Sequence, residues 1–84
     1  MTRLGKVQAE LERYEHRLVE FSARERGEGV ELVIALREPP PGAHVYVAPL
    51  HSRDIDHAQF PWHMQRHLYD CLHDYLVELF VRTP

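Results

Sequence analysis

Residues 4–21 read LGKVQAELERYEHRLVEF, and within them Leu4, Val7, Leu11, Tyr14, Leu18 and Phe21 recur with alternating spacings of three and four. That spacing lays six apolar side chains along one stripe of a helix that seeks a long apolar partner. It predicts a helix from about residue 3 to about residue 26, with Thr2 as its N-cap and Arg24, Glu25, Arg26 and Gly27 as a basic, glycine-terminated end. At about 1.5 Å per residue this helix is about 36 Å long. A compact globule of 84 residues is only about 31 Å across, from a radius of gyration of about 12 Å. The mismatch leads to the expectation of a homodimer, with Leu4, Val7, Leu11, Tyr14, Leu18 and Phe21 as its interface. Antiparallel pairing of the seams brings Glu10 near Arg17 twice, whereas parallel pairing sets Glu10 against Glu15.

Beyond the glycines at 27 and 29 the period changes to two. Val30, Leu32, Ile34 and Leu36 fall on one side of a strand over about residues 30–37, with Glu31, Val33, Ala35 and Arg37 on the other. Pro39, Pro40 and Pro41 withhold three successive backbone donors and make residues 38–42 a hairpin connection; a polyproline ligand is the functional alternative for the same run. A second strand follows over about residues 43–49, with Pro49 keeping it from central pairing. Residues 50–60 read as a polar loop, and Pro61 suits the first position of a last helix over about residues 61–81. Leu68, Tyr69, Leu72, Tyr75, Leu76, Leu79 and Phe80 give that helix a broad apolar stripe for covering a sheet. The expected fold is one α+β domain over residues 1–84, in the order helix, strand, strand, helix: an antiparallel hairpin packed by two long helices and completed by homodimerisation, through the first helices or by joining of the hairpins.

Composition narrows the function classes. The chain is 44% hydrophobic and 27% charged, enough apolar material for a core. Ten basic residues are interleaved with thirteen acidic ones for a net charge of −3, which argues against nucleic-acid binding. One cysteine, Cys71, forbids an intrachain disulfide. No apolar signal segment follows Met1 and no stretch is long enough to span a bilayer, so the expected setting is cytoplasmic and away from the membrane. Seven histidines are unusual for this length; adding seven protons to −3 gives +4, so mild acid can reverse the sign of the chain.

Two constellations bear on chemistry. On the last helix His63, His67, Asp70 and Asp74 follow spacings of four, three and four. His63, His67 and Asp70 are the candidate metal ligands, with zinc as the ion such a set would hold. The glutamate that zinc peptidases place between the two histidines is missing, and Arg66 lies there instead. The plainer reading of these residues is the solvated face of an amphipathic helix. Ser52, Asp54, Asp56 and His57 supply the residue types of a hydrolase triad, but no glycine flanks Ser52 to permit a nucleophile elbow; turn and capping roles suit them better. Phe60 and Trp62 flank Pro61 and serve either to lock the helix entry against the core or to anchor a partner.

These observations favour a noncatalytic, homodimeric module that binds a protein partner, with no catalytic residues and no required cofactor. The rival is a small zinc-type hydrolytic enzyme, with His57 or Asp56 reaching over from the loop as acid or base.

Overall fold

Gly27 decides the first third of the chain. Its φ is +58°, and with Glu28 it forms a two-residue connection between residues that face each other across a ladder, Arg26 and Gly29. A glycine of positive φ at the first central position is what a type II′ hairpin turn requires. The computed structural model describes residues 2–82. In it the turn joins strand β1 (Val19–Arg26) to strand β2 (Gly29–Leu36), antiparallel from Val19 opposite Leu36 down to the turn.

The long first helix is therefore not formed. Helix α1 covers only Arg3–Leu11, capped as expected by Thr2, whose hydroxyl accepts from the Gly5 N–H at 2.9 Å. The heptad seam and the strand make opposite demands on neighbouring residues. A helix through position 18 would bury Leu18, and a strand buries Val19, since adjacent residues of a strand point to opposite faces. Val19 is fully buried and Leu18 is 59% exposed. Val19, Phe21 and Ala23 alternate with Glu20, Ser22 and Arg24, and this period-two run pairs with β2 at the low loop-closure cost of a tight hairpin. The charges follow the strands: Arg37 pairs with Glu20 at 3.2 Å and Arg24 with Glu31 at 3.3 Å, while Glu10 near the end of α1 pairs with Arg13 in the turn beyond it at 3.3 Å.

Strand β3 (Tyr46–Leu50) adds to the other side of β2, antiparallel, with Val30 opposite Leu50 and Ile34 opposite Tyr46. The expected hairpin of residues 30–37 and 43–49 is thus present, with β3 beginning at Tyr46 rather than residue 43. The sheet order is β1-β2-β3, so Pro49 lies on an edge strand, where a missing N–H is tolerated. The segment expected to be loop holds a short helix α2 (Ser52–Ile55), and the last helix, α3 (Phe60–Arg82), starts one residue before Pro61. The architecture is α+β, with the order α1-β1-β2-β3-α2-α3 in place of helix-strand-strand-helix and one long helix in place of two.

Both α1 and α3 lie on one face of the sheet. Val7 and Leu11 of α1, Val30, Leu32 and Ile34 of β2, and Phe60, Met64, Leu68 and Tyr75 of α3 share one core. Leu4, Tyr14 and Phe21 pack against it, partly buried. Five members of the expected dimer seam therefore serve the chain's own core, Val7 and Leu11 within it and the other three packed against it, and Leu18 alone points away. Arg3 holds Asp56 by three hydrogen bonds, two from Nε and one from Nη2, the shortest 2.7 Å, which ties the start of α1 to the end of α2. At about 1.5 Å per residue, α3 with its 23 residues is about 35 Å long and outruns the sheet. The molecule measures 42 × 23 × 18 Å.

Candidate functional site: the outer surfaces of the last helix

Three surfaces carry chemistry that the core does not use, and two of them belong to α3. The first is a cleft of about 280 Å³ between the end of β3 and the first turns of α3. Leu50, Phe60 and Met64 form its buried floor, and Trp62, His63, Arg66, His67, Asp54 and Asp70 stand around it. The sequence spacing does bring His63, His67 and Asp70 to one wall. The imidazoles, however, are engaged elsewhere: the His63 ring tilts against His57 with centroids 4.9 Å apart, and His67 Nε2 lies 3.5 Å from Cys71 Sγ. Arg66 adds a cation to the same wall. Among the described residues no group of three histidine, cysteine, aspartate or glutamate side chains is arranged to hold a metal ion.

The residue types of a triad are dispersed. Ser52 opens α2, Asp54 faces the cleft, Asp56 is held by Arg3, and the His57 Nδ1 accepts from the Gln59 N–H at 3.0 Å. Arg3 keeps the Asp56 carboxyl below its ordinary range, chiefly through their hydrogen bonds. That makes Asp56 a poor proton carrier near neutrality. Cys71 is buried on the inner face of α3, and burial pushes its thiol upward, away from the thiolate a nucleophile needs.

The second surface is the outer face of the sheet. Val33 and Val47 lie there opposite each other on β2 and β3, on the face away from the core, and Val47 is exposed. At its turn end Glu31 is buried and held by Arg26 at 3.0 Å and Arg24 at 3.3 Å. The Arg26 hydrogen bond, ahead of that from Arg24, keeps its carboxyl below the ordinary value despite the opposing effect of burial.

The third surface is the solvent side of α3. Trp62 is 67% exposed, Tyr69 59% and Phe80 84%. With about 100° of rotation per residue, spacings of 7, 11 and 18 place the three rings within about 20° of one another around the helix. They form a line about 27 Å long, with Leu76 half-buried beside it and Val77 exposed. The stripe expected to cover the sheet therefore splits. Leu68 and Tyr75 enter the core, Leu72 and Leu79 pack at its margin, and Tyr69 and Phe80 turn outward. The cluster at the helix entry divides the same way, Phe60 inward and Trp62 outward. The 18-residue spacing of Trp62 and Phe80, five full turns, was the available signal in the sequence. Among the described residues no helix is long and apolar enough to cross a membrane. Comparison of the chain with known protein families, with curated proteins and with solved structures gives no match.

Proposed function

We propose that the chain is a noncatalytic protein-interaction module that works as a homodimer. The observation that carries this reading is the row of Trp62, Tyr69 and Phe80 on the solvent side of a helix whose other side already forms the core. Large aromatics dominate binding energy where they are buried at an interface, and a helix apolar on two sides lacks a partner on one of them. A catalytic reading has less behind it, because the residues best suited to acid–base or nucleophilic work are tied up in hydrogen bonds, ring contacts or burial. A reducing, cytoplasmic setting suits a chain with one unpaired thiol.

Sedimentation equilibrium across a wide protein concentration range, with and without zinc, tests the reading. The expected result is a dimer that persists at low concentration in the absence of metal. A chain that stays monomeric without zinc and associates or gains stability when zinc is added would overturn it and turn attention to His63, His67 and Asp70.

A further inference from the structure

We infer that the aromatic line of α3 is the seat of a second copy of this chain, packed antiparallel about a two-fold axis near Cys71, with Trp62 of each copy against Phe80 of the other. This rests on the reading of the chain as a homodimeric module and specifies its interface.

Self-complementarity is the first ground. A two-fold interface brings one patch against itself, and an axis level with residue 71 matches Trp62 with Phe80, nine residues to either side. Tyr69 then meets His73 across the axis. Both ends of the line find an aromatic partner at once, and offset or edge-to-face ring pairs are favourable beyond the area they cover.

The flanks of the line supply the second ground, because they differ in character. Arg66, Asp70, His73 and exposed Val77 lie on one side of it, and half-buried Leu72 and Leu76 on the other. Antiparallel pairing about a two-fold sets each flank against its own kind: Asp70 comes opposite His73 of the second copy, and Leu72 meets Leu72. Parallel pairing would press Asp70 of one copy onto Leu72 of the other, with no group to offset the desolvation. The helix dipoles also oppose one another only in the antiparallel arrangement.

Area is the third ground. At their observed exposures the three aromatic side chains present on the order of 400 Å² per copy. With the residues between them, two copies remove on the order of 1,000 Å² from water, the area a specific interface of good complementarity has to clear.

Complementary charge variants test both surface and direction. Trp62→Glu and Phe80→Lys are exposed positions, so each variant should keep the wild-type far-UV circular dichroism and melting temperature. Each alone should weaken self-association by about a hundredfold or more. Mixed in equal amounts they should recover a heterodimer, seen by sedimentation or native mass spectrometry. In the antiparallel arrangement the new carboxylate faces the new ammonium at one end, while an unaltered Trp62–Phe80 contact remains at the other. Monomeric variants that fail to recover on mixing would overturn the antiparallel register. Variants that dimerise as well as the wild type would overturn the α3 interface while leaving the homodimer in place. A wild-type chain that is monomeric throughout the concentration range would overturn both this inference and the reading beneath it.

Discussion

The Tyr75 hydroxyl donates to the His44 carbonyl oxygen at 2.7 Å, and the two rings stand edge to face, 5.3 Å apart at 85°. One residue of α3 thus pins the long proline-containing connection between β2 and β3 to the core. Tyr75 is fully buried, so its hydroxyl and its ring make separable contributions.

Removing the hydroxyl alone, as Tyr75→Phe, should cost about 1 kcal/mol through the lost hydrogen bond. Tyr75→Ala should cost about 3–5 kcal/mol, because a cavity is added. Urea unfolding checks both, with the midpoint falling and the slope unchanged for the phenylalanine variant.

Leu11 and Leu18 sit on the same apparent seam and should respond very unequally. Leu11→Ala removes a buried core side chain and should cost about 2–5 kcal/mol. Leu18→Ser alters a residue more than half exposed at the start of β1 and should change stability by no more than about 0.5 kcal/mol. Equal losses at the two positions would indicate that the long helix forms after all.

Gly27 and Gly29 differ in what they tolerate. A Cβ at Gly27 meets no atom within 4 Å, so Gly27→Ala carries only the strain of its positive φ, about 1–3 kcal/mol. At Gly29 a Cβ would stand 2.8 Å from the Leu50 carbonyl oxygen, part of the backbone of the neighbouring strand. Gly29→Ala should therefore displace the end of β3 and lower the melting temperature further than Gly27→Ala does.

Glu31 should make stability fall in acid. Its folded carboxyl lies below the ordinary value of 4.5 because Arg26 and Arg24 hold its charged form. The unfolded chain therefore takes up the proton first as pH drops. The stabilisation is complete above about pH 4.5 and is lost as pH falls through the folded value. Glu31→Gln should be less stable than the wild type at pH 7, and the difference should shrink as pH falls below about 4.5, measured by urea midpoints at each pH. Asp56 is shifted the same way by Arg3, but both members of that pair are half exposed and salt should screen it.

Legibility in the sequence depended on whether local and tertiary demands agreed. In β2 the alternation of Val30, Leu32, Ile34 and Leu36 had no helical competitor, and the strand was evident from the residues to within one position. Pro49 likewise marked β3 as an edge strand, and Thr2 marked the first cap. Residues 12–26 satisfied two periods at once. Every third or fourth residue supported a helix, every second residue from Val19 supported a strand, and only pairing with β2 through the Gly27 turn chose between them. The candidate metal wall was legible as a wall, because helical spacing alone brings His63, His67 and Asp70 together. The diversion of His67 toward Cys71 and of His63 toward His57 was not, since it depends on rotamers and on a loop contact. The outward line of α3 was hidden for the opposite reason: α3 is apolar around much of its circumference, and no spacing rule says which side meets the sheet.

The burial of Cys71 gives the molecule an internal clock. It is the chain's single thiol, it faces inward from α3, and burial holds it protonated. An alkylating reagent reaches it only when α3 lifts from the sheet. With reagent in excess and fast against reclosing, labelling of the unaltered chain counts those openings one by one, and their slowing with rising protein concentration would register how far assembly restrains the helix.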